Sequence, residues 1–291
     1  GSPWYSLSQS IGGIGMRACL GGLLTVVMAA LASAAWAHTQ HQAGRCYNAA
    51  ATNDQRIEAC TAIIQSGQAG GRELAVAFNN RGVSYYNEHQ YNRAIAVFSG
   101  ALRIDPRYSE ALYNRGNAYE SAGAPDSAIR DFDDAIKVNP NYPAAFNSRG
   151  SIYYLHGQFD RAIADFSQAI RLDPSYANAW SSRCIARARA DELQGALSDC
   201  DEALQLSPGN AATLDGRGFV HLKMKDYDHA IADYDAALNA DPKLASSLFG
   251  RGVAENLKSG STTVGKADIA AAKQIDPDIA KRFEQYGIRA F

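Results

Sequence analysis

The chain has 291 residues, of which 46% are apolar, and its formal net charge is -2. A chain of this length and composition can bury a large core. It lacks the excess of lysine and arginine that binding to a nucleic acid requires, so we expect no nucleic-acid partner.

The N-terminal residues are expected to lie outside the fold. Residues 1–15 show no hydrophobic periodicity, and we interpret them as an upstream segment, either an over-extended start or a cloning remnant. Residues 16–37 have the order of a secretory signal peptide, with a basic start, an uncharged apolar run and Ala35-Trp36-Ala37 before a cleavage point at His38. We therefore predict export to the periplasm and no membrane contact after cleavage. An uncleaved anchor is the alternative, because residues 18–37 together could just span a bilayer.

A 34-residue repeat organises the rest of the chain. Its clearest copy, residues 143–176, has Gly150 in the first half and Phe166 and Pro174 in the second. Steps of this period from Gly150 reach a glycine in most other copies and Cys184 in one. Within each copy the apolar residues recur at i, i+4 and i+7 in two runs, which predicts two helices. We divide residues 75–279 into 75–108, 109–142, 143–176, 177–210, 211–244 and 245–279.

The order of small, aromatic and proline residues in these copies resembles the tetratricopeptide repeat, a helix-turn-helix of about 34 residues. The resemblance, to exported bacterial members of that family, covers about residues 44–291. It implies an all-α fold, a right-handed superhelix or α-solenoid of helix-turn-helix repeats. Both ends are predicted to be degenerate capping units, residues 38–74 at the N-terminus and a capping helix with its tail at 280–291.

Four cysteines remain once the signal peptide is removed, and they predict two disulfides. Cys184 and Cys200 take the places that a glycine and an aromatic residue hold in the other repeats, at equal sequence distance from the interhelical turn, so they should face each other. Cys46 and Cys60 close a similar loop. Disulfides persist in oxidising compartments, which agrees with export. Two pairs of buried free thiols are the alternative.

An arginine precedes the glycine place in every repeat, and most second helices carry an aspartate at one fixed place. The arginines are Arg81, Arg115, Arg149, Arg183, Arg217 and Arg251. The acids are Asp131, Asp165, Asp199, Asp233 and Asp268. A row of guanidinium groups could bind an anionic ligand. We favour the other interpretation, in which arginines and aspartates pair between neighbouring helices.

The resemblance implies that the first helix of each repeat lines an inner groove where a partner binds. The corresponding residues are Asn79, Val83, Tyr86, Tyr113, Asn117, Glu120, Asn147, Ser151, Tyr154, Ser181, Ile185, Arg189, Asp215, Phe219 and Leu222. Asparagine and tyrosine suit an extended peptide, whose amides need hydrogen-bond partners and whose side chains need flat apolar contacts. Ordinary solvated helix faces are the alternative. The cations with which some family members clamp a peptide carboxylate are missing.

Signals for catalysis, cofactors or metals are weak in this sequence. Phosphate-binding loops and nucleophile elbows are not found, and the histidines show no recognisable metal spacing. We therefore predict no cofactor, no metal and a non-catalytic scaffold that holds a peptide or protein partner. A membrane-tethered or cytoplasmic scaffold and an accessory subunit of an envelope enzyme are the alternatives. The sequence leaves self-association open.

Overall fold

A computed structural model describes residues 44–289 of the chain. The predicted upstream segment and signal peptide lie outside the described residues, as do residues 38–43 of the predicted N-terminal cap. The described chain divides into two compact bodies, residues 44–118 and residues 119–289. We call them the N-terminal and the C-terminal body.

Residues 44–289 are helical throughout and contain no β-strand, which confirms the all-α prediction. After a short helical stretch at residues 44–47, the helices are α1 (Asn53–Ser66), α2 (Gly71–Asn87), α3 (Tyr91–Ile104), α4 (Ser109–Ser121), α5 (Pro125–Val138), α6 (Pro143–Leu155), α7 (Phe159–Leu172), α8 (Ala177–Arg189), α9 (Leu193–Leu206), α10 (Ala211–Lys223), α11 (Tyr227–Ala240), α12 (Ala245–Ser259), α13 (Thr263–Ile275) and α14 (Ile279–Glu284). None of these helices combines the length and the apolar character that a membrane span needs.

Consecutive helices pack in pairs within each body. In the N-terminal body α2 packs against α1 and α3, and in the C-terminal body the pairs are α6–α7, α8–α9, α10–α11 and α12–α13. In α2–α3, α6–α7 and α10–α11 a glycine of the first helix faces an aromatic ring of the second. A Cβ atom added at Gly150 would lie 2.9 Å from Cε1 of Phe166, and one added at Gly82 would lie 2.5 Å from Cε1 of Phe98. The glycines therefore permit the close helix approach that the sequence predicts.

Each second helix ends where a proline follows its C-cap residue. Asp105 precedes Pro106 and has φ -129° and ψ 91°, the extended conformation that a following proline favours. Its side chain accepts a hydrogen bond from the backbone N–H two residues on, at 3.0 Å. Asp173 and Asp241 repeat this arrangement before their own prolines. The regular spacing of prolines in the sequence thus fixes where the helices stop.

The turn inside a repeat needs one residue with a left-handed backbone. The φ angle is positive at His89, Gly123, Gly157, Asp191 and Lys225, which follow one another at intervals of one repeat. A residue with a Cβ atom pays roughly 1–2 kcal/mol in this conformation, so only two of the five places use glycine at no cost. The turn geometry is therefore kept in the three repeats that have no glycine at this place.

Arginine–aspartate pairs connect neighbouring helices, as predicted. In the C-terminal body Arg149 donates from Nε and Nη2 to both oxygens of Asp165, at 2.8 and 2.7 Å, and from Nη1 to Asp133 of the preceding second helix, at 2.5 Å. Arg217 and Arg251 repeat this contact with two aspartates each. Arg183 pairs with Asp199 in the same way, but its Nη1 donates to the hydroxyl of Ser167 at 3.0 Å. Bidentate pairing of this kind is strong and directional, so it fixes the two helices of one repeat against each other. The contact from Nη1 links that repeat to the preceding one. These arginines are occupied, and an anion ladder is not needed to explain them.

The N-terminal body lacks one acid of this series. Arg81 lies where the other arginines lie, but its second helix has no aspartate at the matching place, and Nη1 donates instead to the hydroxyl of Thr61 at 3.1 Å. Its Nε is buried without a hydrogen-bond partner. Burial consequently lowers the pKa of Arg81.

Both predicted cysteine pairs are joined in the structure. The disulfide between Cys46 and Cys60 links the helical stretch at residues 44–47 to α1, and the disulfide between Cys184 and Cys200 links α8 to α9. All four cysteines are fully buried. The alternative of free thiols therefore does not describe this structure.

Candidate binding surface

The residues predicted to line a groove lie in different settings within each body. In the N-terminal body Asn79 is only 1% exposed. Its side-chain oxygen accepts a hydrogen bond from Nδ2 of Asn114 at 3.0 Å, which joins α2 to α4. Asn79 and Val83 also border a recess of about 250 Å³ beside Cys46. The other predicted residues of this body are partly buried: Val83, Tyr86, Tyr113 and Asn117.

An open stretch of the C-terminal body lies on α6 and α8. Its partly buried members are Asn147, Ser151, Tyr154, Ser181 and Ile185. Oδ1 of Asn147 is buried without a hydrogen-bond partner, while the hydroxyl of Ser151 donates to the backbone carbonyl of the same asparagine at 3.0 Å. The ring of Tyr154 packs on Phe159 with centroids 5.7 Å apart. This stretch therefore offers a bound segment an aromatic face, whereas the unpaired amide oxygen of Asn147 is enclosed.

Glu120, at the start of the C-terminal body, is also partly buried. Burial raises the pKa of its carboxyl group above the ordinary value. The side chain is thus more easily protonated than an exposed glutamate, and a basic ligand group that neutralised it would gain from the contact.

The chain's own C-terminal segment covers the far part of the predicted surface. We use this name for residues 279–288, which comprise α14 and the turn after it. Phe219 is 4% and Leu222 is 3% exposed, and both belong to one cluster with Phe283 and Ile288. The ring of Phe219 lies 5.7 Å from that of Phe283 and 6.0 Å from that of Tyr286, both edge to face. Phe219 and Leu222 are therefore already engaged by this chain.

Arg189 lies between two aromatic rings at the margin of the covered part. Its guanidinium carbon is 4.3 Å from the ring centroid of Phe219 and 4.0 Å from that of Tyr286. Cation–π contacts of this kind contribute roughly 0.5–2 kcal/mol, more when water is excluded. Nη1 of Arg189 is buried without a hydrogen-bond partner. The C-terminal segment thus provides a cation–π contact for Arg189 through Tyr286, but it does not provide a hydrogen-bond acceptor for Nη1.

Asp215 is a partly buried acid of the predicted groove. Oδ1 accepts a hydrogen bond from the hydroxyl of Ser247 at 2.6 Å, which ties α10 to α12. Burial raises the pKa of Asp215, although hydrogen bonds from Ser247 and Ser246 and the charge of Arg189 act in the other direction. Asp215 therefore braces adjacent first helices in the way that Asn79 does in the N-terminal body.

A cleft of about 420 Å³ lies beside the C-terminal segment. Its walls are formed chiefly by Leu222, Lys223, Tyr227, Leu257, Tyr286 and Ile288. Most of these side chains are apolar, and Lys223, Lys225 and Arg289 add positive charge to the lining. The cleft could receive an apolar side chain next to the segment without displacing it.

The structure also brings together a cluster that the sequence analysis did not single out. His221, Asp226 and His229 lie around the turn between α10 and α11, and one ligand atom from each lies within 4.8 Å of the others. The two imidazole rings are stacked with centroids 5.2 Å apart. Burial lowers the pKa of His221, against the opposing effect of Asp233 and Asp226. No sequence spacing marks this cluster, but a comparison of equivalent places in the repeats would have found it.

Family models for tetratricopeptide repeats match four stretches of the chain. The stretches are residues 82–123, 109–142, 143–176 and 211–244. Comparison with the sequences of curated proteins finds no relative.

Solved structures of tetratricopeptide-repeat proteins share the fold. YrrB, described as having an unusual peptide-binding site, is 21% identical with a TM-score of 0.54, over 66% of this chain and 97% of its own. PilF of Pseudomonas aeruginosa is 16% identical with a TM-score of 0.62, over 72% of this chain and 96% of its own. A tetratricopeptide-repeat protein of Parabacteroides merdae is 17% identical with a TM-score of 0.60, over 81% and 92% of the two chains. Likeness at this level of identity concerns the fold alone.

Proposed function

We propose that this chain, which belongs to the tetratricopeptide-repeat family, is a non-catalytic adaptor. Members of that family serve as protein–protein interaction scaffolds. In this proposal the first helices of the C-terminal body bind a peptide segment of the partner. The bound segment would lie on α6 and α8, next to the part that the C-terminal segment occupies. We further propose that the protein works in the periplasm.

The observation that carries the proposal is the way the C-terminal segment is bound. A stretch of about ten residues lies on the first helices through two aromatic side chains, Phe283 and Tyr286, and through a cation–π contact with Arg189. A short segment with spaced aromatic residues is therefore a ligand that this surface already accommodates. A partner segment of the same chemistry would suit the adjoining open stretch, where Tyr154 supplies an aromatic face.

The structural relative YrrB supports peptide binding as the proposed function. The description of YrrB as a protein with an unusual peptide-binding site concerns a chain of the same fold. It supports peptide binding by this chain only as an analogy between folds.

Site-specific photocrosslinking in cells tests the proposed surface. A photoreactive amino acid is placed at Ser151 or Ser181 on the first helices, and at Ser198 on the exposed side of α9 as the matched control. We expect the two inner positions to capture the same protein and Ser198 to capture none of it. In the same cells Tyr154→Ala should reduce capture through Ser151, because it removes the aromatic contact.

Equal capture at Ser151 and Ser198 would reject the proposal. So would unchanged capture in the Tyr154→Ala variant, provided that its circular dichroism spectrum shows a wild-type fold. A purified protein that turns over a substrate, and loses turnover through a single inner-surface substitution, would point to the enzyme alternative instead.

Export has a separate basis and a separate test. It rests on the signal-like order of residues 16–37 and on the two buried disulfides, which need an oxidising compartment to form. N-terminal sequencing of the protein from a periplasmic extract should begin at His38. Recovery of a chain that retains residues 16–37 in the membrane fraction would favour the anchored scaffold.

A further inference from the structure

Three side chains at the turn between α10 and α11 converge on one point. Nδ1 of His221 lies 3.4 Å from Oδ2 of Asp226, and Nδ1 of His229 lies 2.8 Å from the same oxygen. His221 is mostly enclosed, with its side chain 13% exposed, while that of His229 is 71% exposed. The cluster therefore has a closed side against α10 and an open side toward solvent.

The turn fixes the carboxylate in place. Asp226 is the N-cap of α11, and its Oδ1 accepts a hydrogen bond from the backbone N–H of His229 at 3.4 Å. Its own N–H donates to the carbonyl of His221 at 2.9 Å. Because one carboxylate oxygen is committed to the cap, the other is left facing the two imidazole nitrogens.

Equivalent places in two other repeats hold a different trio. In one of them Tyr153 lies at the end of the first helix, Gln158 is the N-cap of the second helix, and Arg161 lies in its first turn. The guanidinium carbon of Arg161 lies 3.9 Å from the ring centroid of Tyr153, and its Nη1 donates to Oε1 of Gln158 at 2.9 Å. The second trio, which has the same stacking and the same donor, is Tyr85, Gln90 and Arg93.

The comparison of the two kinds of trio distinguishes residues that only stabilise the turn from residues that can also bind a metal. Tyrosine, glutamine and arginine brace the turn without offering a metal a set of basic lone pairs. In residues 211–244 all three places change together, to histidine, aspartate and histidine, which retain the stack and the N-cap. Bracing alone explains neither the choice of two imidazoles nor the convergence of three ligand atoms.

We propose that His221, Asp226 and His229 bind a transition-metal dication of the Zn²⁺ class. Two imidazole nitrogens and one carboxylate oxygen are a common zinc set, with ligand bonds of about 2.0–2.2 Å, and they do not suit Ca²⁺ or Mg²⁺. Atoms about 3.3 Å apart can share one tetrahedral ion at such bond lengths. The three ligand atoms lie within 4.8 Å of one another, so side-chain rotations would have to bring them to that spacing. The fourth position would be open to water or to a donor from another molecule.

The surroundings of His221 agree with this assignment. Its second ring nitrogen, Nε2, lies 3.8 Å from Oδ2 of Asp233. Asp233 is itself held by Arg217 through two hydrogen bonds of 2.8 and 2.6 Å. A carboxylate behind a histidine is the usual support of a metal-binding imidazole. At 3.8 Å this carboxylate is beyond hydrogen-bond distance, and it would have to approach Nε2 to orient the ring.

Isothermal titration of the chelator-treated full chain with ZnCl₂ tests the site. We expect one ion per chain, and with Co²⁺ the visible absorption bands of a four-coordinate ion. The matched variant His221→Tyr/Asp226→Gln/His229→Arg rebuilds the trio of the other repeats, so it should fold and bind at least about tenfold more weakly, since even second-shell changes cost about 10–100-fold. A control variant, His38→Gln/His41→Gln, removes the pair of histidines nearest the N-terminus and should bind as the wild type does.

The single variant His229→Arg should keep the wild-type fold, because this side chain is largely exposed. It therefore tests metal binding even if the triple variant does not fold. It should weaken Zn²⁺ binding and abolish the rise in melting temperature that Zn²⁺ produces in the wild type. The proposal is overturned if wild-type protein takes up no Zn²⁺, if the rebuilt trio binds as tightly as the wild type, or if only the His38/His41 variant loses binding.

Discussion

Gly150 illustrates how a single residue sets the distance between two helices. A methyl group there would meet Cε1 of Phe166 at 2.9 Å and Cβ of Asp165 at 3.1 Å. Phe166 is 1% exposed, and Asp165 is held by Arg149, so neither neighbour can move freely. We expect Gly150→Ala to lower the free energy of unfolding by about 1–3 kcal/mol, measured by urea denaturation.

Gly195 provides the control for this prediction. It lies within α9, and a Cβ there would meet only the flexible side chain of Arg187, at 3.4 Å, an ordinary contact. Alanine is the better helix former, so Gly195→Ala should raise stability by about 0.5–1 kcal/mol. If the two substitutions had effects of the same sign, close packing at Gly150 would not be the reason for its glycine.

Asp215 makes stability depend on pH. Burial raises the pKa of this carboxyl in the folded chain, so the folded state prefers the protonated acid more than the unfolded state does. Its contribution to stability is therefore complete below the unfolded pKa of about 3.9 and is lost as the pH rises through the folded value. We expect Asp215→Asn to raise the melting temperature at pH 7 and to leave it unchanged near pH 3.

The exposed Asp160 gives the comparison for that experiment. Asp160→Asn should have a small effect at both pH values, because no buried charge is removed. A lower melting temperature for Asp215→Asn at pH 7 would mean that the hydrogen bond from Ser247 and the charge of Arg189 outweigh burial.

At the scale of the helix pair, the disulfide between Cys184 and Cys200 replaces a packing contact. Other repeats have a glycine and an aromatic ring at these places, as in Gly218 and Tyr234, where a Cβ would meet the ring at 3.0 Å. Closing a loop of this length is worth about 3 kcal/mol in the chain-entropy model. Cys184→Ala/Cys200→Ala should therefore lower the unfolding free energy by about that amount, whereas Cys184→Gly/Cys200→Phe should recover part of it through burial of the ring.

Urea denaturation of the oxidised wild type and of the two double variants decides this prediction. Equal midpoints for the wild type and the alanine variant would show that the disulfide adds nothing to stability. A glycine–phenylalanine variant weaker than the alanine variant would show that α8 and α9 have lost the spacing of the other pairs.

The sequence reveals those features of the helix pair that recur with the repeat. The structure confirms four features that follow from residues at fixed places. They are the glycine–aromatic contact, the proline after the second helix, the arginine–aspartate pairs and both cysteine pairs. The left-handed turn residue Lys225 was not predicted, because lysine carries no preference for that conformation, whereas His89 and Asp191 belong to the types that adopt it more often than other non-glycine residues.

The candidate surface was less predictable, because its state depends on contacts outside the repeat. Periodicity identifies the first helices, but it does not reveal that Asn79 bonds to Asn114 or that Phe219 lies under Phe283. The histidine cluster was missed for a related reason: its members are separated by a turn, and only the folded turn brings them together. The residue roles of the binding surface stay predictions.

At the scale of the whole C-terminal body, the C-terminal segment closes a stack of helix pairs that would otherwise end in an apolar face. Phe283 is 3% exposed, and its ring lies 4.7 Å from that of Phe249 and 5.7 Å from that of Phe219. In a stack each repeat is stabilised chiefly by its neighbours, so loss of an end piece should act locally. We expect Phe283→Ala to cost about 3–5 kcal/mol and to release the last pair, α12–α13, first.

Hydrogen exchange followed by mass spectrometry resolves where the stability is lost. Amides of α12 and α13 should exchange much faster in Phe283→Ala, while those of α6 and α7 should keep their protection, because several helix pairs separate them from the substitution. Val264→Ala is the control, since its side chain is 58% exposed in α13 and its replacement removes little buried surface. Uniform loss of protection from α6 to α13 would mean that the C-terminal body unfolds as one cooperative unit, so that the segment would support the whole body and not only its last pair.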